Sequence, residues 1–280
     1  NLMYDNGHTL IHHFKNPKFK FIKGDARDKS LIEPLIHNFE FVIHLAAIVG
    51  FPACRKNPDL ATSVNVDSSR LISSLLSKDQ GTIYASTGSN YGIIENQICT
   101  EDTPLNPISL YGRTKTEAEN IFLNENEAVA YRFATAFGLS PRMRLDLLIN
   151  DFVYQAINNK LLVMFEKSFK RTFIHVDDMA KSIIYGIENY DSMKNNTFNV
   201  GGDFNNFNKE EIALMIKDRV DYYLHFAEIG EDEDKRNYEV SYEKINKAGF
   251  SISKTVQDGI KELIDAAPGL DIRSKKKNVK

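Results

Sequence analysis

The chain has 280 residues, 42% of them hydrophobic and 26% charged, enough to bury the core of a two-lobed globular protein. Its formal net charge of −3 supplies no general attraction to nucleic acid or to an anionic membrane, so neither is expected as a partner. Two cysteines, Cys54 and Cys99, make no disulfide framework, and no apolar run approaches the roughly 20 residues that span a bilayer. The polar, His-rich opening lacks the apolar centre of a signal peptide, so the expected address is the cytoplasm.

In chain order, apolar β-rich runs alternate with helical periods, the pattern of a parallel sheet covered by helices. Phe19–Ile22 reads as a short strand ending at Gly24-Asp25, and residues 29–37 have helical spacing. Glu40–Ala47 has the pattern of a buried strand followed by a loop. A single helix is predicted from Pro58 or Asp59 to about Ser77, then a strand over Thr82–Ser86, a helix over Ser109–Leu123 and a strand over Ala128–Phe133. After Gly138 the rhythm changes, with a loop at Ser140-Pro-Arg142, a helix over 145–159, a short strand at Leu161–Met164 and a helix over 177–189. A strand from Thr197 ends at the Gly201-Gly202 turn, and residues 271–280 read as a solvated basic tail.

The chemical signal is Tyr111-Gly-Arg-Thr-Lys115, one strand after Ser86-Thr87. On a helix, i and i+4 share a face, so the phenol and the ammonium can aim at one place. A phenol that ionises near 10 is a poor base at neutral pH, and a neighbouring cation favours its phenolate. A strand-end hydroxyl can hold a substrate alcohol or carbonyl in line. That is equipment for moving a proton while a cofactor moves a hydride. By spacing alone, Tyr-x-x-x-Lys is a weak motif; its position after Ser86-Thr87 gives it weight.

Taken in register over nearly the whole chain, these segments resemble the extended short-chain dehydrogenase/reductase family, the NAD-dependent nucleotide-sugar epimerases and dehydratases. The resemblance implies an α/β fold, a Rossmann-like doubly wound parallel sheet with a smaller mixed α/β substrate-binding lobe. It assigns residues 1–140 to an NAD(P)-binding domain, to which 176–200 return, and 141–175 with 201–270 to the substrate lobe. In Gly24-Asp25-Ala26-Arg27-Asp28, Asp25 and Ala26 match the adenine end of the cofactor site. Leu45, Ala46 and Ala47 match the strand end where small residues let the backbone approach the cofactor. Asn65 matches an asparagine near the nicotinamide. The catalytic hydroxyl falls on Thr87, with Ser86 as the rival, and Tyr111 and Lys115 complete the catalytic set. Arg171 is implied to grip the diphosphate of a nucleotide sugar, with Arg236 as a second, looser match. Thr135 stands where many relatives carry a substrate-contacting asparagine, so that contact is put in question. The cofactor implied is NAD, with NADP left open, and the oligomer a homodimer.

Two features narrow the chemistry. The dehydratases of this family carry an acidic pair after the catalytic hydroxyl, where this chain has Gly88 and Ser89, so elimination of water is not expected. The reading is a nucleotide-sugar 4-epimerase, followed by a 4-ketoreductase of deoxysugar biosynthesis and, from another class, a non-catalytic cofactor-sensing or scaffold homologue. The sequence also contains no glycine-rich strand–turn–helix to hold a pyrophosphate. It therefore reads as a stretch lacking the first strands of the sheet, expected to bind NAD(H) poorly as it stands. His12-His13 reads as a surface pair, with no metal expected, His175 as a structural hydrogen-bonding residue and Cys54 as a small buried thiol. Glu231–Asp234 reads as a solvated acidic loop.

Overall fold

The computed structural model describes residues 2–4, 6–227 and 237–269. After a 3-10 stretch over Gly7–Lys15 come helix α1 (Lys29–Ile36), strand β1 (Phe41–His44), α2 (Phe51–Lys56) and α3 (Pro58–Thr62). A π-helical turn over Ser63–Asp67 joins α3 to α4 (Ser68–Leu75), and β2 (Gly81–Thr87), β3 (Ile93–Cys99), α5 (Leu110–Glu125), β4 (Val129–Phe133) and β5 (Thr135–Phe137) follow. Next are α6 (Leu148–Asn158), β6 (Leu161–Met164), β7 (Lys170–His175), α7 (Val176–Glu188), α8 (Tyr190–Met193) and β8 (Asn196–Val200). The last elements are β9 (Asn206–Asn208), α9 (Lys209–Lys217), β10 (Tyr223–Phe226), β11 (Asn237–Val240), α10 (Glu243–Lys247) and α11 (Val256–Ala266).

Strands β1, β2, β4 and β8 pair in that order, all parallel. Parallel neighbours need crossovers, and these supply the helices that cover both faces. The two-residue period of β2 divides the core accordingly. Tyr84 packs with Ile72, Ala118 and Phe122 on the side of α4 and α5. Ile83 packs with Tyr131, Met179 and Ile183 on the side of α7. A smaller lobe is built on β5-β7-β9, where β7 runs parallel to β5 and antiparallel to β9. Its separate core holds Phe137, Ile149, Val153, Phe173, Ile212 and Ile260. The expected doubly wound α/β architecture with a smaller mixed lobe is therefore the observed one.

Three local expectations fail. Phe19–Ile22 is not a strand, because β1 is the edge of the sheet and no strand lies beyond it among the described residues. Without a neighbour, backbone N–H and C=O groups have no ladder to join, and Phe21 and Ile22 stay exposed. For the same reason the strand expected over Glu40–Ala47 is only four residues long and mostly half-buried. The helix expected from Pro58 to Ser77 is interrupted by the π turn, closed by the Ser68 N–H on the Ser63 carbonyl. The Ser68 and Ser69 hydroxyls donate to the carbonyls of Val64 and Asn65, so those buried acceptors stay satisfied. Arg236, the acidic loop at Glu231–Asp234 and the tail over 271–280 lie outside the described residues. No described helix is long and apolar enough to cross a membrane.

Candidate active site

Residues from β2, the loop after β1 and α5 meet at the carboxyl ends of the parallel strands, where open α/β sheets place their ligand crevice. Thr87 ends β2, and the loop from Leu45 to Gly50 follows β1. Tyr111 stands in the first turn of α5 and Lys115 one turn on. Ser109 caps that helix, its hydroxyl accepting the Gly112 N–H at 3.0 Å. Gly112 lets the first turn press against the loop after Thr87. A β-carbon there would lie 3.1 Å from the Ser89 carbonyl oxygen and 2.9 Å from Pro107 Cβ.

Lys115 is 4% exposed and its ammonium sits 4.1 Å from the centre of the Tyr84 ring. Burial pushes its pKa down to about 7, while the nearby Glu119 carboxylate works in the opposite direction. Tyr111 is half-buried against a small apolar cluster of Ile48, Ala53, Cys54 and Ala61. The Cys54 thiol donates to the Ile48 carbonyl, and burial pushes its pKa up to about 11, as suits an inert thiol.

The two candidate hydroxyls separate cleanly. Ser86 donates to the Glu119 carboxylate and accepts from Asn90 Nδ2 at 3.2 Å. Glu119 is itself paired with Arg132, Nη2 to Oε1 at 2.6 Å, both side chains buried. Arg132 continues to the Tyr91 hydroxyl and the Glu101 carbonyl, each at 3.1 Å, and Tyr91 donates to Asn199 at 2.7 Å. Ser86 therefore belongs to a buried network that locks β2, α5, β4 and β8 together. Among the described residues the Thr87 hydroxyl bonds the short turn that follows it, donating to Ser89 Oγ and accepting the Ser89 N–H, both at 3.1 Å. Sequence reading passed over Glu119, although its spacing from Lys115 repeats that of Lys115 from Tyr111. Arg132, a charge inside an apolar strand, was the visible sign of a buried partner.

Among the residues matched to a cofactor, Leu45 and Ala46 are exposed and Ala47 is half-buried at the end of β1. Asn65 is fully committed within the protein. Its Oδ1 accepts the Ile48 N–H at 2.7 Å, and its Nδ2 donates to the Ile48 carbonyl at 3.1 Å and to Thr114 Oγ1 at 3.0 Å. Beside it, His44 Nε2 lies 3.1 Å from the Ser69 hydroxyl, and burial, then the Lys115 charge, holds this imidazole neutral, down to about 3. Asp25 grips the guanidinium of Arg27 at 2.7 Å, and that side-chain hydrogen bond lowers its pKa to about 2. Ala26 beside it is half-buried.

On the side of the smaller lobe, Thr135 is half-buried at the start of β5. Arg171 is buried on β7 and donates to the Lys170 carbonyl at 3.0 Å. His175 bonds Glu262 through Nε2 at 2.9 Å and accepts the Asp177 N–H through Nδ1, a structural cap for α7. Tyr238 on β11 went unremarked in the sequence. It is 2% exposed, and its hydroxyl would lie 3.3 Å from a β-carbon on Gly88, beside Thr87. No described group hydrogen-bonds that hydroxyl. Among the described residues no cluster of His, Cys, Asp and Glu could hold a metal ion.

A Rossmann-type sheet with a Tyr–Lys pair at its carboxyl edge defines a class of nicotinamide-dependent enzymes. Residues 2–201 match the model of the NAD dependent epimerase/dehydratase family, and the chain belongs to that family. It is similar to the low-salt glycan biosynthesis protein Agl12 of Haloferax volcanii, 24% identical over 271 residues, covering 94% of this chain and 86% of the relative. It is also similar to a putative UDP-glucose 4-epimerase of Methanocaldococcus jannaschii, 26% identical, covering 89% and 84%. Among solved structures, UDP-glucuronic acid 4-epimerase from Bacillus cereus superposes with a TM-score of 0.80 at 23% identity, covering 93% and 85% of the two chains. DesIV, a dTDP-glucose 4,6-dehydratase from Streptomyces venezuelae, gives 0.82 at 19% identity, covering 93% and 83%. At such identities the structural likeness speaks for the fold.

Proposed function

We propose that the chain is a nucleotide-sugar 4-epimerase that uses NAD, with Thr87, Tyr111 and Lys115 as its catalytic set. The observation that carries the reading is a site in which, among the described residues, no carboxylate follows Thr87 in the place where elimination would need one. Position 88 is glycine with the Tyr238 phenol above it, position 89 is serine, and Glu119 is tied to Arg132 and Ser86. The open Leu45 and Ala46, and a buried lysine that a hydroxyl- or phosphate-rich group would help to charge, fit a dinucleotide. When bound, that cofactor supplies reversible hydride acceptance. Tyr111 takes the proton of a sugar hydroxyl and returns it, Lys115 favours the phenolate, and Thr87 orients the hydroxyl. Arg171 contributes positive charge toward a diphosphate, with Arg236 as the second candidate. A homodimer is the proposed assembly.

The test incubates the protein with NAD in large excess and UDP-glucose, or UDP-galactose, and follows the sugar signals by NMR. Interconversion without net change in nicotinamide absorbance is expected. Steady consumption of NADH or NADPH with a 4-keto-sugar nucleotide would instead make the protein a ketoreductase and sink the epimerase reading.

A further inference from the structure

We propose that Thr114, in the helical turn that joins Tyr111 to Lys115, is a positioning residue that sets the catalytic helix against the Leu45–Gly50 loop. The proposal rests on the reading of Tyr111 and Lys115 as the proton-transfer pair.

Thr114 is 3% exposed and its hydroxyl has two jobs. It accepts from Asn65 Nδ2 at 3.0 Å and donates to the Tyr111 carbonyl at 3.1 Å. The Asn65 carboxamide meets both the N–H and the C=O of Ile48, so it imitates one rung of a β-ladder. Hydrogen bonds thus run without a break from the Ile48 backbone through Asn65 and Thr114 to the backbone of Tyr111. The π turn over Ser63–Asp67 carries Asn65 in this position, and such turns often mark functional sites. Thr116 provides an internal contrast. Its hydroxyl donates to the Gly112 carbonyl of its own helix at 2.9 Å, which is the ordinary use of a helical threonine. Of the two, Thr114 also accepts a hydrogen bond from another element. The loop it reaches bears Leu45, Ala46 and Ala47, so a shift there would move the cofactor surface relative to the phenol. A misplacement on the order of 1 Å can cost a hundredfold in rate.

The experiment compares Thr114→Val, which keeps shape and β-branching, with Thr114→Ser and with the control Thr116→Val. Amide exchange at Ile48 reads the clamp without any turnover. Thr114→Val is expected to speed that exchange about tenfold, while Thr114→Ser and Thr116→Val stay near the wild type. In the epimerase assay, Thr114→Val is expected to lower kcat with KM for the sugar nucleotide unchanged, and Thr114→Ser to restore it. Unchanged Ile48 exchange in Thr114→Val, or the same change in Thr116→Val, overturns the clamp. Altered exchange with unaltered kcat overturns its positioning role. If Thr114→Val does not fold, Thr114→Ala gives the same comparison with less bulk. Absence of turnover in the wild type would count against the proposed function alone, since the exchange result stands apart from it.

Discussion

Replacing Lys115 by Met should make the protein more stable near neutral pH, and the gain should vanish as the solution becomes alkaline. Lys115 is buried and ionises at about 7 in the folded chain, against an ordinary 10.5. The folded value lies below the unfolded one, so between these two pH values the unfolded chain binds more protons at this position. Stability from this group therefore rises with pH across that window and is lowest below it. At about 1.4 kcal/mol per pH unit, the upper bound on the cost of the buried charge is on the order of 5 kcal/mol. The Glu119 carboxylate already offsets part of the burial and is included in that balance. Met keeps the aliphatic stem and removes the charge. Urea unfolding of both proteins at pH 6.5, 8 and 9.5 isolates the effect, because other titrations cancel in the difference. The advantage of Lys115→Met should shrink by more than 2 kcal/mol over that range. A difference that is flat with pH would refute the claim that burial depresses this lysine.

Three further outcomes follow from the site. Thr87→Val should lower kcat by about 100-fold with little change in the urea midpoint, whereas Ser86→Ala should cost about 1–3 kcal/mol by unsatisfying the buried network. Steady-state kinetics and urea unfolding on the same preparations check both. Glu119→Gln leaves Arg132 buried beside a neutral amide and should cost about 3–5 kcal/mol in chemical denaturation. Gly112→Ala would normally favour a helix by about 1 kcal/mol. Here contact with the Ser89 carbonyl and Pro107 should reverse the sign, and thermal unfolding together with kcat tests whether that close approach positions Tyr111.

Much of this site was legible in the chain. Tyr111 and Lys115 share a helix face by spacing, a local property, whereas their weight as candidates and the choice of Thr87 came from resemblance to a family. The failures have physical causes of a different range. Phe19–Ile22 has strand preferences but no neighbouring strand at the sheet edge, so it joins no ladder. The π turn is absent from any helical period because it exists to aim Asn65 at Ile48 and Thr114, residues 17 and 49 positions away. Resemblance matched Asn65 to a residue near a cofactor, and the structure adds what periodicity could not give, that its carboxamide bonds a loop and a helix.

The sequence by itself placed a phenol and an amine four residues apart on a helix, one strand after a pair of hydroxyls, and these are matters of residue type and periodicity. Resemblance to a family supplied the chemistry proposed for them. Only the tertiary structure showed which of the two hydroxyls the buried Glu119–Arg132 pair consumes: it is Ser86, which is why Thr87 is the one proposed. It also decided what lowers Lys115 and what stands over Gly88, since both follow from desolvation and contact between segments distant in the chain. Periodicity records which face of an element is buried, and it is silent on which polar groups meet once that face is covered.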